Sequence, residues 1–306
     1  MHLAHAGERS RTHQLARTWL PNAEDFTTPR GIHYSTRTDK FNEERNFTSR
    51  STMAAPTAPQ SIQPGPNDKP EARPHPALTL PAAQLAGRIQ HTLIGQAITE
   101  FQVRDHVREC LANGFDAAIV PPSWVWAARD EMRGTSGRVG SLIDYPHGSG
   151  TTAGRVAEVK ALVDAGVDEL DSTVNIGYLL SNRYEEFAAD LKAVVEAASP
   201  VGVKVMLELP LLNLRQRERC VQAAIDAGVA FVKNASRGAV GIADPSTISY
   251  LRGAVPDSIG VKAAGGIKTI EQVRAMLAAG ADLVGTSSGV RIITGGGPVR
   301  GSLYSY

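Results

Sequence analysis

The feature that most constrains this chain is a short pattern that recurs four times: a helix that stops at Ala-Gly or Asn-Gly and feeds straight into an apolar strand. It reads ANGFDAAIV at Ala112 to Val120, DAGVDELD at Asp164 to Asp171, DAGVAFVK at Asp226 to Lys233 and AAGADLVG at Ala278 to Gly285. Gly114, Gly166, Gly228 and Gly280 stand where a helix ends in a left-handed residue, a conformation glycine adopts without steric cost. A recurring αβ unit that presents no polar strand face requires a parallel sheet covered by helices.

Completing the units predicts eight strands, at Ile89 to Ile94, Asp116 to Val120, Val139 to Ile143, Glu169 to Val174, Val203 to Leu207, Ala230 to Lys233, Ile259 to Lys262 and Ala281 to Gly285. Helices are expected at Thr99 to Asn113, Thr151 to Ala165, Glu185 to Ala198, Arg215 to Ala227, Pro245 to Leu251 and Thr269 to Ala279. Eight strands with short connections suit a closed α/β structure, the (β/α)8 TIM barrel. A doubly wound open sheet is the rival, but no GxGxxG follows the first strand.

The pattern begins near Leu78. Residues 1–78 show no sustained period of 2 or 3.6 and include a Ser/Thr/Ala/Pro/Gln stretch from Ser51 to Pro66, which predicts a mobile N-terminal extension or an upstream start, with Met53 nearer the true one. The barrel is expected over residues 79–290, followed by a flexible tail at 291–306.

Lys and Arg total 32 against 31 Asp and Glu, so no long-range field favours nucleic acid or an anionic membrane. No stretch approaches the length of a membrane helix, and nothing at the N-terminus resembles a signal core. Cys110 and Cys220 are too few for a disulfide scaffold, so a cytoplasmic protein is expected. Most of the eight histidines fall in the extension, leaving chiefly His106 and His147 for the barrel, and no ligand set with metal spacing stands out, so neither metal nor cofactor is expected.

Barrels carry their chemistry at the C-terminal ends of strands. Lys233 ends strand six, Lys262 ends strand seven and Asp171 lies in strand four. A lysine embedded among Phe231, Val232, Val261 and Ala263 is costly to keep charged, and a cation on the next strand adds to that cost. The neutral amine so favoured attacks carbonyls. The alternative is that each lysine reaches the rim or pairs with an acid such as Asp171 or Glu208. Glycine-rich loops follow strands seven (Gly265, Gly266) and eight (Gly285, Ser287, Ser288), where barrels grip phosphate. His147 is expected to order a loop or touch substrate.

The segments QHTLIG, DYPHG, DELDSTVNIG, VKVMLELPLL, FVKNAS, VKAAGGIKT and GTSSG, in that order over Ile89 to Ser288, resemble the deoxyribose-phosphate aldolases, a class I family. The resemblance implies that Lys233 forms a Schiff base, that Lys262 lowers its pKa and relays protons with Asp171, and that Gly265, Gly266, Ser287 and Ser288 hold the 5-phosphate. The implied reaction is reversible cleavage of 2-deoxy-D-ribose 5-phosphate to D-glyceraldehyde 3-phosphate and acetaldehyde, by a homodimer or homotetramer. Three positions depart from the family: Gln90 replaces an aspartate, Ala118 to Pro121 replace Cys-Val-Asn-Pro, and Asn234-Ala235-Ser236-Arg237 replace Thr-Ser-Thr-Gly. Ser236 keeps a hydroxyl and Arg237 brings a cation to the expected phosphate. Some bacterial members end in a tyrosine that assists proton transfer, which makes Tyr306, beyond a Gly295 to Pro298 hinge, an auxiliary candidate. The rivals are another Schiff-base aldolase or transaldolase, and a barrel that only binds phosphosugars or a protein partner.

Overall fold

A computed structural model of the chain divides into two units, Met1–Asp68 and Lys69–Tyr306, and describes residues 75–296 of the second. The expectations for residues 1–74, for the tail beyond 296 and for Tyr306 lie outside the described residues.

The eight strands are β1 (Ile89–Thr92), β2 (Ala117–Ile119), β3 (Val139–Ile143), β4 (Glu169–Thr173), β5 (Gly202–Met206), β6 (Phe231–Lys233), β7 (Gly260–Ala264) and β8 (Leu283–Thr286). They pair in parallel in chain order, and β8 closes onto β1 through Ile89↔Val284 and His91↔Thr286. This is the (β/α)8 barrel, and each strand lies within two residues of its expected bounds. Gly114, Gly166, Gly228 and Gly280 all have positive φ, so the four helix stops are as the repeat requires.

Among the described residues, ten α-helices surround the barrel: α1 (Ala82–Ala86), α2 (Glu100–Asn113), α3 (Val125–Glu131), α4 (Thr152–Asp164), α5 (Ile176–Leu180), α6 (Tyr184–Ala198), α7 (Leu214–Ala227), α8 (Pro245–Ala254), α9 (Ile270–Ala278) and α10 (Gly289–Thr294). Several are started by their own sequence. Thr99, Asn213 and Thr269 each form a reciprocal capping box with a glutamine three residues on, and Thr151 and Asp244 cap α4 and α8. Helices α1, α3, α5 and α10 were not foreseen. They run five to seven residues, too short for a 3.6-residue period to repeat.

Two apolar layers result. The larger lies between strands and helices. The smaller, inside the barrel, gathers Ile94, Ala117, Ile119, Leu142 and Met206 against Tyr145. Glu169, Asp171, Lys204, Lys233 and Lys262 bring charge into the same interior, beside neutral Gln90 and Thr173. Buried Arg155 of α4 binds Asp190 of α6, Ser172 Oγ (2.9 Å) and the Thr173 carbonyl (2.6 Å), which fixes β4 against its two helices.

Candidate active site

Strand alternation sends Asp171, Lys204, Lys233 and Lys262 into the barrel, where register places Asp171 beside Lys204 and Lys233 beside Lys262. Asp171 Oδ2 takes Lys262 Nζ at 2.7 Å and Lys233 Nζ at 3.2 Å, and its Oδ1 faces Lys204 Nζ at 3.8 Å. All four side chains are buried. The sequence treated activation and acid pairing as alternatives for the lysines, and the structure has both: Lys233 pairs with Asp171 and its ammonium is still destabilised. Burial, reinforced by Lys262 and only partly offset by Asp171, pushes Lys233 down to about 8. Burial acts to raise the Asp171 carboxyl, but Lys262, Lys233 and Lys204 together outweigh it and hold it well below the usual carboxylate range. An ionised acid beside a lysine that yields its proton near neutrality supplies an amine nucleophile and a proton acceptor in one cluster.

Above this cluster opens a cleft of about 590 Å³, lined by Asp171, Lys233 and the loops after β6, β7 and β8. Ser236, Arg237, Gly265, Gly266, Gly285, Ser287 and Ser288 all line it. Gly265 has φ +106°, and a Cβ there would sit 2.6 Å from the Gly241 carbonyl, so the β6 and β7 loops approach in a way only glycine permits. Thr286 Oγ1 donates to the Ile267 carbonyl at 2.7 Å and accepts the Ser288 N–H at 2.9 Å, tying the β7 and β8 loops together. A Cβ at Gly285 would meet Lys262 Cε at 3.0 Å, so this glycine also makes room for the Lys262 stem. Ser236 Oγ and Arg237 Nε are buried and have no hydrogen bond among the described residues, and Lys268 and Arg291 add positive charge to the lining.

The two auxiliary candidates that can be located divide. Glu208, in the left-handed region at φ 50°, is buried and accepts the Ser236 N–H at 2.9 Å, so it supports the loop after β6. Burial raises its carboxyl, against the Ser236 hydrogen bond and the nearby positive charges. His147 is exposed and does not line the cleft.

Lys204 and Glu169 escaped the sequence reading, and Asn234 entered it only as a departure from the family. Lys204 carried the same signal as its neighbours, a lysine in an apolar strand, but fell second in the expected strand Val203 to Leu207, whereas Lys262 was expected to end its strand and instead sits mid-strand in β7, as Lys204 does in β5. Asn234 pairs with Ala264 through both amide atoms, Nδ2 to the carbonyl and Oδ1 from the N–H, each at 2.9 Å. Glu169 binds Lys204 at 2.6 Å. His91, His106 and Glu109 also converge, with donor atoms within 4.8 Å of one another. They fit a metal poorly: the rings stack at 4.2 Å and 23°, which aims their lone pairs past each other, and His106 Nε2 is engaged by the His91 carbonyl.

Residues 88–294 match the family model described as DeoC/LacD family aldolase. A deoxyribose-phosphate aldolase 1 of Cutibacterium acnes is 38% identical over 209 residues, covering 68% of this chain and 96% of that protein. A deoxyribose-phosphate aldolase of Streptococcus equi subsp. zooepidemicus is 37% identical over 207 residues, covering 68% and 94%. Among solved structures, the tetrameric deoxyribose phosphate aldolase of Aeropyrum pernix superposes with a TM-score of 0.64 at 32% identity, covering 70% of this chain and 91% of that one.

Proposed function

This chain belongs to the DeoC/LacD family of aldolases, and from that premise we propose that it cleaves 2-deoxy-D-ribose 5-phosphate reversibly through a Schiff base on Lys233. The observation that carries this reading is the depressed, buried Lys233 sharing one Asp171 oxygen with Lys262 at the floor of the cleft.

Neutral Lys233 Nζ adds to the C1 aldehyde, and Asp171 and Lys262 return protons so that the carbinolamine loses water to give an iminium. Loss of the C3 hydroxyl proton forms the C3 carbonyl as the C2–C3 bond breaks, its electron pair moving to the iminium to give an enamine. Glyceraldehyde 3-phosphate departs. The enamine is protonated at C2, and water releases acetaldehyde and restores the amine. The 5-phosphate rests against the loops of Gly265, Gly266, Ser287 and Ser288, with Ser236 and Arg237 on the third side, where unpaired donors and positive charge favour an anion. A homo-oligomer belongs to the same reading, supported by Phe101 and Trp126, which stand exposed on α2 and α3.

Trapping tests it. Acetaldehyde with cyanoborohydride is expected to leave one two-carbon adduct, mapped to Lys233, and none in Lys233→Met. The reaction needs the free amine, so the trapping rate falls about tenfold per pH unit below pH 8, the position set by the Lys233 shift. A folded protein without an adduct refutes the reading. A panel of phosphorylated sugars then identifies the substrate, and cleavage of another sugar phosphate in preference to deoxyribose 5-phosphate refutes the specificity.

A further inference from the structure

The interior charges continue below the reacting groups. Lys204 is buried on β5, outside the cleft lining, and its Nζ is held by Glu169 Oε2 at 2.6 Å with the Phe231 ring centroid 5.5 Å away. Glu169 is held in turn: Gln90 Nε2 donates to Oε1 at 2.6 Å, and Arg138 Nη1 lies 3.6 Å from Oε2. The same Gln90 amide donates to Asp116 Oδ2 at 2.8 Å, and Arg138 binds the other Asp116 oxygen. An aspartate at position 90, which the family commonly has, would bring a third carboxylate to this spot and no second donor. The neutral Gln90 therefore lets Glu169 and Asp116 sit close together and fixes Glu169 under Lys204.

Above Lys204 the geometry divides one carboxylate. Asp171 Oδ2 receives both Lys233 and Lys262, whereas Oδ1 has no hydrogen bond among the described residues and faces only the charge of Lys204, 3.8 Å away. We infer that Lys204 is a positioning residue for the Lys233 chemistry: its charge, anchored on Glu169, occupies the Oδ1 side of Asp171 and limits the negative field that Lys233 experiences. This rests on Lys233 as the Schiff-base lysine. The charged groups that bear on Lys204 are Glu169 and Asp171 from β4, Lys262 from β7 and, through Glu169, Arg138 before β3, and those that bear on Lys233 are Asp171, Lys262 and Glu208, which follows β5. Removing the Lys204 charge leaves Asp171 less neutralised, which stabilises the Lys233 ammonium and demands a higher pH for the free amine.

The experiment measures the rate of acetaldehyde trapping on Lys233 from pH 6 to 10 in the full chain and in Lys204→Met, Lys204→Gln and Lys204→Arg, with folding followed by circular dichroism. Met and Gln are expected to displace the acid limb upward by about half to one pH unit, a roughly three- to tenfold slower rate at pH 7. Arg, which keeps the charge, returns the limb toward the wild-type position. If Met does not fold, Gln carries the test, since it retains a hydrogen bond to Glu169. A folded Gln variant with the wild-type limb overturns the inference, as does a loss of folding in both neutral variants with Arg alone folded, which assigns Lys204 to structure. Wild-type protein that forms no adduct refutes the Schiff-base reading itself, an outcome distinct from an adduct whose pH dependence ignores Lys204.

Discussion

Two walls of one barrel interior solve the burial problem in opposite ways. Ile94, Ala117, Ile119 and Leu142 make the β1–β3 wall apolar, reaching across to Met206 on β5, while Glu169, Asp171, Lys204, Lys233 and Lys262 fill the β4–β7 wall with charge. The charged wall survives because nearly every ion has a counter-ion within 4 Å, but the counting is uneven: three lysines meet Asp171. The apolar wall gives no such partner and excludes water from the same space. Together they leave Lys233 desolvated and short of negative charge, so its amine is released near neutrality instead of in the usual lysine range. The contrast teaches that the reactivity belongs to the mismatch between the walls rather than to the lysine alone.

Lys262→Leu breaks the charged wall most directly. It removes the hydrogen bond to Asp171 Oδ2 and, on the proposed mechanism, a relay for protons, and is expected to lower kcat for deoxyribose 5-phosphate by about two to four orders of magnitude. Sugar-phosphate binding by calorimetry should change far less, because the proposed phosphate contacts lie in the loops. Equal losses in turnover and affinity would make Lys262 a binding group.

Ile119→Ala probes the other wall. The side chain is buried in the inner apolar cluster and also borders the cleft, so the substitution is expected to cost about 2 to 4 kcal/mol by chemical denaturation. Water admitted beside the lysines relieves part of their desolvation. The trapping limb of Lys233 should move up by about half a pH unit, with turnover at pH 9 reduced less than tenfold. A stability loss with an unmoved limb would confine this wall to packing and place the shift wholly in the charges.

The same contrast explains what could be read without coordinates. Strands with uniform apolarity and glycine helix stops announce themselves along the chain, and all eight strands were legible; Lys233, Lys262 and Asp171 stood out because ionisable residues interrupt apolar runs, although only Lys233 ends its strand and Lys262 and Asp171 lie mid-strand. Lys204 interrupts one just as clearly in VGVKVM, but it fell near the start of its expected strand, and its meaning depends on Glu169 one strand away. His147 illustrates the reverse: a histidine in a loop near the strand ends that folds outward. Asn234 was legible as a departure and not as a device, since its partner Ala264 is 30 residues distant.

Asn234→Thr, the exchange toward the family's residue, has the smallest expected effect and sharpens where the walls meet the phosphate loops. The Asn234 amide adds a side-chain rung beyond the end of the β6–β7 ladder, donating to and accepting from Ala264 just before Gly265. Threonine has a hydroxyl where asparagine has two aligned groups, so it can replace one of these bonds at most. The buried Ala264 N–H or carbonyl left unpaired costs about 1 to 2 kcal/mol, measured by denaturation. The functional consequence belongs to the loop: KM for the sugar phosphate should rise a fewfold while the acid limb of Lys233 stays put, because no charge has changed. A shifted limb with unaltered KM would show that Asn234 acts on the lysines, and that the boundary between phosphate grip and charged wall lies one residue further along the chain.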